Sequence, residues 1–217
     1  MATDPKILDA QAARAVPVVE ILSPKGEALL DASSTAVAVG EPEQFGFTEG
    51  PVFTSRGTWI FSDIPMATQY EFKPSTGALD VYRKPSNNSN GNFMDNTGRL
   101  LSCEHQARVL SRTDLVTGAR EVVASQFGGK RLTSPNDCIC SRKSGLIYFS
   151  DPAYGTMEKL GHGSPSEQES NNVYMLDPSS GDLTVLDSSF VQPNGLCFNP
   201  GIYRHHNSAD CTYCFLR

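Results

Sequence analysis

Four short polar clusters recur along the chain: Thr48-Glu49-Gly50-Pro51, Ser89-Asn90-Gly91-Asn92, Ser134-Pro135-Asn136-Asp137 and Gln192-Pro193-Asn194-Gly195. Each offers an oxygen donor, the carboxylate of Glu49 or the carboxamide of Asn90, Asn136 or Asn194. These donors stand 41, 46 and 58 residues apart, a spacing that follows a long repeat and not the pitch of one helix or strand. Hard oxygen donors gathered at the mouth of a channel suit a divalent cation, Ca²⁺ first, with Mg²⁺, Mn²⁺ and, less readily, Zn²⁺ as other occupants. A cation held in this way polarises a carbonyl and activates a water, the chemistry of ester or lactone hydrolysis. Any one Asn-Gly cluster before a strand simply makes a turn. Four in register argue for a site.

The elements that must position these donors are strands. Polar turns closed by glycine, Thr54 to Gly57, Asp95 to Gly98 and Ser141 to Gly145, each lead into a run of aromatic and aliphatic residues, 58–63, 99–104 and 146–151. Such composition marks buried strands, and each run ends on a carboxylate: Asp63, Glu104 or Asp151. A second set of turns closes at Gly77, Gly118 and Gly181. The two turn glycines of a unit are 20 residues apart in the first two units and 36 in the third, which places an insertion within residues 152–172. A period in the forties with about four short antiparallel strands per unit predicts an all-β fold, a β-propeller with about four blades in this chain. Residues 1–40 read as an N-terminal extension and closing-strand region, 41–200 as a partial propeller and 201–217 as a divergent tail. Residues 7–15 are the one plausible short helix.

The chain has 217 residues with 39% hydrophobic and 19% charged, enough for one substantial soluble core. A formal net charge of −6 with no basic stripe argues against nucleic acid as a partner. No stretch approaches transmembrane length and no leader pattern opens the chain, so no membrane partner and a cytoplasmic location are expected. The six cysteines then read as thiols.

Glu49-Gly50-Pro51-Val52-Phe53, Ser134-Pro135-Asn136-Asp137, Ile147-Tyr148-Phe149-Ser150-Asp151-Pro152-Ala153-Tyr154 and Pro193-Asn194-Gly195-Leu196 together resemble the motifs of the gluconolactonase, regucalcin and luciferin-regenerating-enzyme family. Ser89-Asn90-Gly91-Asn92 with Cys103-Glu104-His105 and Arg108 is closer to its microbial gluconolactonase branch. The resemblance implies a six-bladed propeller that hydrolyses sugar and related lactones with a divalent metal. It implies Glu49 and Asn194 as metal ligands, with Asn136 beside the metal, contacting substrate or a water held there. Asn90, Glu104, His105 and Arg108 join Asn136 as expected substrate contacts. The family's general-base aspartate comes from a later blade, so no catalytic residue is assigned here, and the chain reads as C-terminally truncated relative to the family.

Adjacent Glu104 and His105 lie on opposite faces of a strand and do not form a dyad. Asp63 and Asp151 read as strand-end residues bonding nearby backbone, and Asp137 as orienting Asn136. The insertion reads as an exposed, mobile loop or as a lid over the channel mouth. His205, His206, Cys211 and Cys214 have zinc-ligand chemistry but pairs set too close for a zinc finger, and the tail reads instead as out-of-frame or intron-derived sequence. Two functions stand side by side. One is a metal-dependent lactonase; the other is a non-catalytic, truncated propeller that acts at most as a binding module and self-associates through open sheet edges.

Overall fold

In the computed structural model the described residues are 38–198 except 42, together with the backbone of short strands at Val16–Pro17, Thr35–Ala36 and Tyr213–Leu216. The expected helix at 7–15, most of the 1–40 and 201–217 segments, and the side chains of His205, His206, Asp210, Cys211 and Cys214 lie outside them.

Three four-stranded antiparallel meanders follow one another. The first is β1 (Thr48–Phe53), β2 (Trp59–Asp63), β3 (Thr68–Lys73) and β4 (Ala78–Arg83). The second is β5 (Ser89–Met94), β6 (Leu100–Glu104), β7 (Val109–Thr113) and β8 (Arg120–Ala124). After the small hairpin β9 (Gln126–Phe127) and β10 (Lys130–Arg131) comes the third: β11 (Cys138–Cys140), β12 (Ile147–Asp151), β13 (Asn172–Leu176) and β14 (Leu183–Asp187). Strand β15 (Gly195–Phe198) opens a fourth unit and pairs in parallel with Tyr213–Leu216. Each sheet is a propeller blade, and β1, β5, β11 and β15 are the innermost strands, packed in that order against one another. The turn glycines Gly57, Gly98 and Gly145 adopt φ of 75°, 78° and 77°, as their sequence positions predict.

The core lies between blades. Neighbouring residues of one strand point to opposite faces, so Leu100 packs with Ile60 towards blade 1 while Leu101 packs with Leu132, Phe149 and Tyr174 towards blade 3. All of β6 is therefore buried. Phe149 and Tyr174 stack at 5.2 Å, and each such large apolar side chain contributes roughly 1.5–3 kcal/mol through burial. Ile139, Val173 and Leu196 seat β15 on blade 3. Cys103, Cys138, Cys140 and Cys197 are free thiols, consistent with the sequence reading. Among the described residues no helix is long and apolar enough to cross a membrane.

Candidate active site at the inner strands

The inner strands are irregular where the polar clusters fall. The ladder between β1 and β2 skips between Glu49 and Val52, and that between β5 and β6 skips between Ser89 and Asn92. Such bulges free backbone groups and re-aim side chains, and here the freed groups link one blade to the next. Asn92 Nδ2 donates to the Gly50 carbonyl at 2.9 Å, the Gly91 amide to the Asn136 carbonyl at 2.7 Å, and the Leu196 amide to Asp137 Oδ2 at 2.8 Å. Contact this close leaves no room for a side chain: a Cβ on Gly50 would lie 2.3 Å from the Asn90 carbonyl oxygen, and one on Gly91 2.6 Å from that of Asn136. Glycine stands at both positions for that reason.

The linked strands surround a cavity of about 440 Å³ lined by Glu49, Asn90, Asn136, Asp137 and Asn194 among others. All four donors expected from the sequence are brought together here. Among the described residues, no side-chain hydrogen bond engages Glu49, Asn136 or Asn194, although Asn136 is only 2% exposed. Asp137, read from the sequence as an orienting residue, instead joins the cavity wall and clamps β15. Burial, reinforced by the charge of Glu49, pushes its carboxyl up to about 6 against the hydrogen bonds from Leu196 and Cys138. Its place in the wall was hidden because the Leu196 amide lies 59 residues away.

Beneath the cavity a buried polar chain ties blade 1 to blade 2. Gln69 Nε2 donates to Asn92 Oδ1 at 2.7 Å, Ser102 Oγ donates to the same oxygen at 2.7 Å, and Asn92 Nδ2 donates to Ser62 Oγ at 2.9 Å. Asp63 and Asp151 close their strands as expected, each carboxylate accepting from two successive backbone amides, Gly46 and Phe47 or Thr133 and Ser134.

Two expected substrate contacts are placed elsewhere. Glu104 is fully buried and accepts from Arg120, Arg83, Asn87 and Ser111 at 2.6–3.1 Å. Burial alone would raise its carboxyl, but the two guanidinium groups with Ser111 and Asn87 outweigh it and hold the group below the usual carboxylate range. Arg108 donates from Nε to the Leu132 carbonyl at 2.6 Å and from a terminal nitrogen to Glu167 at 3.0 Å. Both groups are paired with the scaffold outside the cavity lining, Arg108 keeping one terminal nitrogen without a partner. His105 is also fully buried and reaches the cavity wall only through Asn90, whose Nδ2 lies 3.4 Å from His105 Nε2. Glu104 and His105 make no pair with each other.

The insertion at 152–172 has exposed residues, as expected of a loop, and also makes specific contacts with the strands beside it. It has one 3₁₀ turn, Tyr154–Thr156, and Gln168 Nε2 donates to the carbonyls of Phe127, Lys130 and Arg131 at 3.0–3.2 Å. Glu167 accepts from the Arg131 amide at 2.9 Å, and Thr133 and Ser166 share a 2.7 Å hydroxyl contact.

Residues 47–202 match the family model described as the SMP-30/Gluconolactonase/LRE-like region. The chain belongs to this family. It is 32% identical over 192 residues to a gluconolactonase of Zymomonas mobilis, a match covering 82% of this chain and 52% of that one. Over 87 residues it is 28% identical to a lactonohydrolase of Aspergillus oryzae, covering 40% of this chain and 19% of that one. Among solved structures, a gluconolactonase from Xanthomonas campestris superposes with a TM-score of 0.69 at 32% identity, over 73% of this chain and 52% of that one. A calcium-binding protein, regucalcin, from Agrobacterium tumefaciens shares the fold, with a TM-score of 0.54 at 20% identity over 72% of this chain and 48% of that one. The all-β propeller expected from the repeat is thus the observed fold. The chain spans about half the length of the curated gluconolactonase it matches.

Proposed function

We propose that this chain opens a sugar or related lactone to its hydroxy acid with the help of a divalent cation, Ca²⁺ before Mg²⁺, Mn²⁺ or Zn²⁺. The observation that carries the reading is the set of Glu49, Asn136 and Asn194 converging on one cavity with their side chains uncommitted among the described residues. Polar side chains that line a cavity without protein partners are available to a ligand.

The donor set suits a hard cation, since its members are carboxylate and carboxamide oxygens. Glu49 and Asn194 would hold the ion, with Asn136 beside it. When bound, such a cation supplies a Lewis acid that polarises the lactone carbonyl. The chain's own residues do the rest: Glu49 places negative charge on one wall, Asn136 and Asn90 present amide groups to the lactone, and Asp137 keeps β11 and β15 in register. Water then adds to the carbonyl carbon, the ring C–O bond breaks, and the hydroxy acid formed releases its proton at neutral pH.

Proton release is therefore the assay. Sugar lactones are supplied with Ca²⁺ or with chelator, and acid production above the spontaneous rate is expected only with the cation. Glu49→Gln is expected to lower that rate at least 100-fold. A second reading is a binding module without turnover. Under it, Glu49→Gln leaves acid release at the spontaneous rate seen with the native chain.

A further inference from the structure

Asn90 is set apart from the other cavity donors because its amide is held from behind. His105 Nδ1 lies 2.8 Å from the carbonyl oxygen of Leu160 in the insertion. A carbonyl only accepts, so Nδ1 carries the ring proton. Burial lowers the His105 pKa to about 4, partly opposed by that hydrogen bond, so the ring is neutral at physiological pH and Nε2 is a bare acceptor. The group of Asn90 that faces Nε2 at 3.4 Å must therefore be its NH₂. The Asn90 oxygen is left for the cavity that the residue lines.

The insertion is seated tightly enough to impose this arrangement. Gly155 lies against His105, where an added Cβ would stand 2.8 Å from the His105 Cβ and 2.5 Å from the Ser134 Cβ. The His162 amide donates back to the Gly155 carbonyl at 2.9 Å, closing the segment that carries Leu160.

We propose that His105 is a positioning residue: the Leu160 carbonyl of the insertion selects its tautomer, and its bare Nε2 turns the Asn90 oxygen into the cavity as an acceptor for a lactone hydroxyl. This rests on the lactonase reading for its substrate, and its geometry is tested apart from activity. Two-bond ¹H–¹⁵N correlation of the imidazole is expected to show Nδ1 protonated and Nε2 bare from pH 5 to 8. An Nε2–H tautomer overturns the proposal whether or not the chain turns over lactones. The Asn90 side-chain amide signals are expected to shift in His105→Phe and to stay near native in His105→Gln, whose oxygen still accepts; unmoved signals in His105→Phe also overturn it.

Kinetics supply the second arm. For a hydroxylated lactone, His105→Phe is expected to raise KM by roughly 3- to 10-fold, the worth of one neutral hydrogen bond, with kcat little changed. In an Asn90→Ala background the same change is expected to add nothing, and additive effects of the two substitutions overturn the proposal. If His105→Phe does not fold, Gly155→Ala, which displaces the insertion from His105, takes its place in the same cycle. A native chain inactive towards every lactone refutes the proposed function alone and leaves the tautomer and amide measurements to decide this one.

Discussion

Asn136 is 2% exposed yet makes no side-chain hydrogen bond among the described residues, whereas Glu104 at 0% has four donors around it. Asn136 lines the cavity, so its uncommitted amide is open to a ligand there. Asn136→Ala is expected to leave stability within about 1 kcal/mol of the native chain in urea denaturation, while weakening the response to Ca²⁺. His105 gives a pH signature. Its folded pKa of about 4 lies below the ordinary 6.5, so between those values the unfolded chain binds a proton that the folded chain does not. Stability from this group is present above pH 6.5 and is lost as pH falls towards 4. Asp151, pushed up to about 7 by burial, acts in the opposite sense, but it is common to native chain and variant and cancels in their difference. The stability advantage of the native chain over His105→Gln is therefore expected to shrink by roughly 2–3 kcal/mol between pH 7 and 4.5.

At the scale of elements, the inner strands are held by single hydrogen bonds between blades, and glycines let them approach. Gly50 has φ of 58° as well as a neighbouring carbonyl 2.3 Å from where a Cβ would stand. Gly50→Ala must both strain the backbone and push β1 from β5. A loss of at least about 2 kcal/mol is expected, read as a lower urea midpoint at unchanged slope. The insertion belongs to this scale too. Exposed Glu167 accepts from the Arg131 amide, and Gln168 donates to the Lys130 and Arg131 carbonyls.

For the whole molecule, three complete blades and the inner strand of a fourth already assemble the cavity. A cation that binds only the folded chain must stabilise it, by about 2.7 kcal/mol at a concentration 100 times Kd. Millimolar Ca²⁺ is expected to raise the Tm of the chain by several degrees, and Glu49→Gln to abolish that rise in the same thermal scan. An unchanged Tm in the native chain would count against a cation at this cavity.

The sequence by itself determined the repeat, the turn glycines, the all-β propeller and the register that brings Glu49, Asn90, Asn136 and Asn194 to one place, because strand alternation and turn chemistry are local and a repeat copies them. Only the tertiary structure decided which polar side chains stay free. Glu104 and Arg108 looked as available as Glu49, but their partners Arg83, Arg120, Leu132 and Glu167 lie 16–59 residues away and arrive through blade packing. The same holds for His105, whose tautomer depends on a carbonyl 55 residues distant. Burial and pairing are set by what packs across a blade, and no spacing along a single strand encodes that.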